Sequence, residues 1–298
     1  MKTPREIKKH YNSGDNITSL LRDEFKEKSN TQDIIEISYD MQTGSYSEAM
    51  QKKEIALAKG LYTKEICNII KSLDLKPNTI LEAGVGEATT LGGVIKNLKD
   101  TDFFGFDLSW SRIAYARKWL SSMNINNVTL CLGDLFDIPF QNNSIDIVYT
   151  SHSIEPNGGN EEAIIKELYR VARDYLILLE PAYELSNNEI KKRMDQHGYC
   201  KNISNISKEL GYNVVKHELF PHSANPMNPT AITIIKKEYK GSMPSSILAC
   251  PKFKTPLEKI NGALYSHEGL SVYPIIDNIP CLKIKHSIFA SKYEEFKA

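Results

Sequence analysis

The sequence predicts an α/β protein whose open, mostly parallel sheet is wrapped by helices and finished by an antiparallel edge. Three observations carry this prediction. Short apolar runs alternate with amphipathic stretches through the middle of the chain, the pattern of parallel strands joined by crossover helices. A strand-to-helix turn with two glycines occupies residues 80–92, ILEAGVGEATTLG. The last two apolar runs are joined by PHSANPMNPT, too short to hold a crossover helix, so they are expected to pair as a hairpin.

Seven strands are expected, over residues 79–83, 103–107, 128–132, 145–150, 175–180, 214–220 and 231–236. Helical periodicity fills 89–98, 109–123, 161–172, 186–197 and 203–210. Ahead of the first strand, 48–73 reads as one or two helices that cap the open end of the site. After Lys240 the pattern turns Pro-rich with short strands and turns. The division is therefore a lid segment at 1–47, a main domain at 48–238 including the capping helices, and a small, mostly-β domain at 244–298.

Composition narrows the function. Lys plus Arg and Asp plus Glu number 37 each in 298 residues, so no net field gathers a polyanion, and nucleic acid is disfavoured as a partner. The N-terminus is polar, and no run of about 18 apolar residues occurs, so a soluble cytoplasmic protein without membrane attachment is expected. Five scattered cysteines with no C-x-x-C pair indicate neither a disulfide framework nor an intact zinc site.

The turn itself selects a ligand. Its glycines admit close approach of a small molecule, but the third glycine of the dinucleotide fingerprint is replaced by Thr89. Glu82 just before the turn would repel a pyrophosphate, yet it can accept hydrogen bonds from an ammonium, directly or through water. These features point to S-adenosylmethionine. Asp107 ends the second strand, 21 residues after Gly86, placed to accept from two ribose hydroxyls. Asp134 follows the third strand, placed to accept from an adenine amino group. A helix N-cap role competes at Asp107, where Ser109 is the better cap, and a turn role competes at Asp134.

Taken in order, EAGVG, FDLS, GDLFDIPF, SIDIVYTSH and DYLILLEP make residues 48–238 resemble a class I S-adenosylmethionine-dependent methyltransferase of the small-molecule type. The resemblance implies a Rossmann-like seven-stranded sheet with its last strand antiparallel. It implies that Glu82, Gly84 and Gly86 shape the methionine and ribose pocket. Asp107 with Leu108 would hold the ribose, Asp134 with Leu135 the adenine, and Ser151 would also touch the cofactor. The stretch IEISYDMQTGSY resembles the tyrosine-bearing segment that closes over the cofactor in such enzymes, giving roles to Tyr39 and Tyr46 and a substrate contact to Gln42; a solvated turn around Gly44 is the plain alternative.

The acceptor belongs over the carboxyl ends of the fourth and fifth strands, where an in-line nucleophile can be held away from water. His152 is the candidate base and Glu155 its orienting acid; hydrogen bonding to cofactor or backbone is the alternative for His152. Glu180, Tyr183, His197, His222, Asn225 and Asn228 are the further polar candidates for substrate binding, suited to a sugar, an amino acid or a related intermediate.

The segment ILACPKFKTPLEKINGALYSHEGLSVYPIIDNIPCLKI resembles the zinc-ribbon-derived family of methyltransferase activators through LACP, P-L and YPIIDNIP. Phe253 stands where a second ligand of the first knuckle would be, so no metal is expected. So small a domain needs a surface to dock on, either the main domain or a second chain, which makes a homodimer one expectation. The leading reading is methyl transfer to oxygen or nitrogen of a small polar metabolite. The alternatives are a tRNA or protein acceptor, a non-catalytic binding protein of the same fold, and, last, an NAD-dependent oxidoreductase.

Overall fold

The computed structural model describes residues 2–98, 100–223 and 225–296. Its main sheet contains β1 (Thr79–Ala83), β2 (Asp102–Asp107), β3 (Val128–Leu132), β4 (Ile145–Ser151), β5 (Ala172–Pro181), β6 (Asn213–Leu219) and β7 (Thr230–Lys236). Their spatial order is β3-β2-β1-β4-β5-β7-β6. All neighbours among β1 to β5 run parallel, whereas β7 is antiparallel to both β5 and β6. The hairpin expected from the short 221–230 connection therefore forms, and β7 slots between β5 and β6.

Each central strand is buried on both faces because its residues alternate between two cores. Ile80 and Phe103 point into one core, with the inner sides of α5 (Lys53–Ser72), α6 (Thr89–Asn97) and α7 (Trp110–Ser122). Leu81 and Phe104 point into the other, with α8 (Glu161–Val171) and α10 (Ile203–Glu209); α9 (Asn188–His197) lies between α8 and α10 in the chain.

Residues 2–52 are more structured than a lid segment suggests. They form α1 (Pro4–Asn12), α2 (Ile17–Phe25), α3 (Gln32–Met41) and the short α4 (Ser45–Ala49), with α1 to α3 packed around Ile7, Ile17, Leu21 and Ile34. The start signals are in the sequence: Thr3 and Glu6 make a reciprocal capping box, and Asn16 and Thr31 cap α2 and α3.

The C-terminal module carries β8 (Glu258–Ile260), β9 (Ala263–Ser266), β10 (Ser271–Tyr273), β11 (Ile275–Ile276), β12 (Ile279–Pro280) and β13 (Ile288–Phe289). It docks on the open β3 edge of the main sheet. The Leu282 amide donates to the Leu132 carbonyl at 2.9 Å, continuing the sheet in a parallel sense. Residues 247–249 pair with 139–141, and Cys250, Tyr273 and Leu282 enter the core that holds Leu81 and Phe104. An exposed sheet edge is thus covered from within the chain.

Cys250 lies 3.4 Å from the Tyr273 hydroxyl. His267 meets Glu258 and Glu294 on the surface, in the one cluster among the described residues with metal-ligand spacing. Among the described residues no helix is long and apolar enough to cross a membrane.

Candidate active site

A cavity of about 70 Å³ opens at the carboxyl ends of β1, β2 and β4, beneath α3. Such a position follows from topology, because β1 is where the strand order reverses and the loops on either side diverge.

At one end the wall is Phe106, Leu108, Gly133, Leu135 and Ile35. Asp107, only 7 % exposed, lies beside them and accepts the amides of Gly86 at 2.9 Å and Ser109 at 3.0 Å. Ser109 caps α7 by accepting the Arg112 amide, which leaves Asp107 free of that duty. Asp134 turns inward on its own loop, accepting the Phe136 amide at 3.0 Å, so its neighbours Gly133 and Leu135 form the wall instead.

The glycine turn explains its own composition. Gly84 and Gly86 have φ of 72° and 54°, in the left-handed region. A Cβ on Gly84 would lie 2.2 Å from that of Ser153, and one on Gly86 would lie 3.4 Å from the Arg112 guanidinium carbon. Beneath the turn, Glu82 accepts from Tyr149 at 2.8 Å and faces Lys59; burial pushes its carboxyl up to about 8 against the pull of both partners. Lys59 donates to Thr90 at 3.0 Å.

At the other end, β4 runs out into a kinked loop in which His152 has φ of 57°. Glu180, at the end of β5, holds that loop by accepting the amides of Ser153, Ile154 and Glu155 at 3.1, 3.2 and 3.0 Å. Burial raises the Glu180 carboxyl to about 7. The loop brings His152 Nδ1 onto the Glu155 carboxylate, while His152 Nε2 meets Thr230 Oγ1 at 2.8 Å. Asn228 donates to Glu155 at 3.1 Å. Burial opposes the charge on both members of the pair, but their mutual hydrogen bond prevails, so His152 is raised and Glu155 lowered from their usual values. Ser151 shares a 3.0 Å hydrogen bond with Tyr62.

The helical N-terminal region closes the cavity. Glu87, directly after the glycine turn, accepts from the amides of Gly44, Tyr46 and Ser47 at 3.0, 3.4 and 2.8 Å, and from the Ser47 hydroxyl at 2.6 Å. Gln32 donates to Asn157 at 2.7 Å and Asn30 to the Pro156 carbonyl at 2.9 Å. Glu36, which lines the cavity, pairs at 2.7 Å with Lys283 of the C-terminal module. Lys283 in turn reaches the Leu108 carbonyl at 3.3 Å.

Of the sequence candidates, Tyr39, Gly84, Asp107, Leu108, Leu135 and His152 line the cavity, and Glu155 and Asn228 stand behind His152. The others are placed elsewhere. Tyr46 joins the lid, Gln42 caps α3, and Glu180 holds the loop. Tyr183 donates to Asp195, and His197 stacks on Tyr199 at 5.2 Å. His222 meets the edge of Phe220, while Asn225 accepts the Met227 amide on the surface. Sequence reasoning passed over Glu87, Arg112, Thr230 and Lys283; the acid after the second glycine was the one available local signal.

Residues 80–174 match the family described as a methyltransferase domain. The fold is that of magnesium protoporphyrin IX methyltransferase from Synechocystis PCC 6803, solved with S-adenosylhomocysteine bound. The TM-score is 0.55 at 13% identity, covering 70% of this chain and 100% of that one. A Methanococcus maripaludis protein classed with the S-adenosylmethionine-dependent methyltransferases scores 0.51 at 17% identity, over 69% and 96% of the two chains. A chain from the Haloferax volcanii complex of the Trm112 methyltransferase activator with a methyltransferase also scores 0.51, at 12% identity, over 66% and 96%.

Those likenesses are of fold. Together with the domain match they give residues 80–174 as a methyltransferase domain, set in a fold that other proteins use to hold S-adenosylmethionine or S-adenosylhomocysteine. The residues present are compatible with that group, in that the cavity offers apolar side chains, the Asp107 carboxylate and the buried, unbonded Ser153 hydroxyl beside Gly84.

Proposed function

We propose that this enzyme methylates an oxygen or nitrogen of a small polar metabolite, such as a sugar, an amino acid or a related intermediate, in the cytoplasm. The observation that carries the reading is the polar far end of the cavity, where Gln32, His152, Ser153 and Asn157 line the space beneath α3. Its polar groups suit hydroxyl or amine donors.

S-adenosylmethionine supplies an electrophilic methyl group. With Glu155 ionised, His152 carries its proton on Nδ1 and presents Nε2 as the base. The Thr230 hydroxyl occupies that lone pair until the acceptor takes its place. As the new bond forms, the acceptor's proton passes to Nε2, and Glu155, held by Asn228, stabilises the imidazolium. Exclusion of water by α3 and α4 protects the electrophile.

In the same reading, the C-terminal module is a degenerate zinc ribbon that does in cis what an activator subunit does in trans. Its pairing at Leu132 and its Lys283–Glu36 contact support this, and Ile288 and Phe289, exposed on its edge strand, support a homodimer through the module.

The test is a labelled-methyl assay on cell extract separated by size. Label is expected in the low-mass fraction, dependent on His152; label confined to tRNA or protein would overturn the small-acceptor reading.

A further inference from the structure

Arg112 is a buried cation whose Nε has no hydrogen-bond partner among the described residues. It stands in the first turn of α7, is 8 % exposed and lines the cavity beside Asp107 and Ser109. Its guanidinium is stacked between two rings from the closing segment, 5.0 Å from the Tyr39 centroid and 4.8 Å from the Tyr46 centroid. The nearby carboxylates of Asp107 and Glu87 favour the charge, and neither accepts a hydrogen bond from its Nε.

The two acids that act on it electrostatically also hold backbone amides. Asp107 accepts the Gly86 and Ser109 amides, and Glu87 accepts four donors from the closing segment. A guanidinium withdrawn from water is unfavourable unless an anion meets it. Gly86 keeps the glycine turn bare where the guanidinium lies against it, so the group faces the same space that the turn opens to the cofactor.

We propose that Arg112 is the receptor for the α-carboxylate of the cofactor's amino-acid end, with Tyr39 and Tyr46 as the cage that fixes the guanidinium plane. The assignment rests on the proposed function, with S-adenosylmethionine as the methyl donor. A carboxylate is the anion that S-adenosylmethionine and S-adenosylhomocysteine carry, and a planar guanidinium binds it through two parallel hydrogen bonds. Caging by aromatic faces supports the charge without consuming its donors. Arg112 would thus select for the whole amino-acid end, while Asp107 recognises the nucleoside.

Two ligands that differ at this point provide the test. S-adenosylhomocysteine has the carboxylate; 5′-methylthioadenosine keeps the adenine, ribose and sulfur and lacks it. Calorimetry with full-length Arg112→Met should show S-adenosylhomocysteine weakened about ten- to a hundredfold, the loss of a charge-assisted pair, with 5′-methylthioadenosine changed less than about threefold. Arg112→Lys should recover part of the loss.

Equal weakening of both ligands would overturn the assignment, making Arg112 a ribose contact or a prop for the pocket. Unchanged binding of S-adenosylhomocysteine would overturn it too. If the wild-type protein bound neither ligand, the cofactor class itself would fall and the assignment with it.

Discussion

The two ends of the cavity are made of different material. The end proposed for the nucleoside is assembled from strand termini that the parallel sheet sets side by side: the turn at Gly84 and Gly86, Asp107 and Leu108 after β2, Gly133 and Leu135 after β3. The acceptor end is a network of side chains drawn from distant segments, with Gln32 on Asn157, Glu155 on His152, Asn228 on Glu155 and Thr230 on His152. The first needs only a sheet in the right order. The second needs every one of those loops to be folded and mutually satisfied, because a half-satisfied buried network is worse than none.

That contrast implies separable functions, and the acceptor end should give the largest effect. His152→Ala is expected to lower kcat about a hundred- to a thousandfold, as loss of a general base does, with the affinity for S-adenosylhomocysteine nearly unchanged in calorimetry. Because Glu155 holds His152 above its usual value, the rate should rise with pH as His152 loses its proton, and in Glu155→Gln this rise should move to lower pH. A rise that stayed in place would detach Glu155 from the base. The same shift has a stability consequence: the histidine's contribution to folding is fully present below its ordinary value of 6.5 and fades as pH climbs through the raised one.

At the nucleoside end the expected pattern is the reverse. Asp107→Ala should weaken S-adenosylhomocysteine by about a hundredfold, since it removes both the ribose acceptor and the partner of the Gly86 amide. Calorimetry beside a thermal melt separates that from loss of fold, and binding at wild-type strength would break the comparison.

The smallest effect should come from Glu87→Ala, which frees four donors of the closing segment. Dissociation of S-adenosylhomocysteine is expected to quicken about tenfold, with new protease cleavage between residues 41 and 52. An unchanged off-rate would mean that Glu87 does not latch the lid.

Legibility in the sequence followed the same division. The strands expected at 79–83 and 128–132 form with those bounds, because hydrophobic alternation and the flanking turns are local signals. Asp107 was legible for the same reason, as an acid at the end of such a strand. Glu180 was read as a cleft residue, yet its carboxylate serves three amides of the neighbouring loop, a service that depends on how β4 leaves the sheet at His152. Arg112 reads in sequence as one of several charges on an amphipathic helix. Only the folded chain brings Tyr39 and Tyr46 over it.

Lys283 sets the order in which the protein can become competent. It is 2 % exposed and joins Glu36 of α3 to the Leu108 carbonyl, residues that lie 247 and 175 positions earlier in the chain. A ribosome that has made the whole main sheet has therefore not yet made the residue that ties Glu36 to the Leu108 carbonyl. During synthesis the glycine turn emerges early, whereas the bond that links α3 to the loop after β2 can form only once residue 283 has left the exit tunnel.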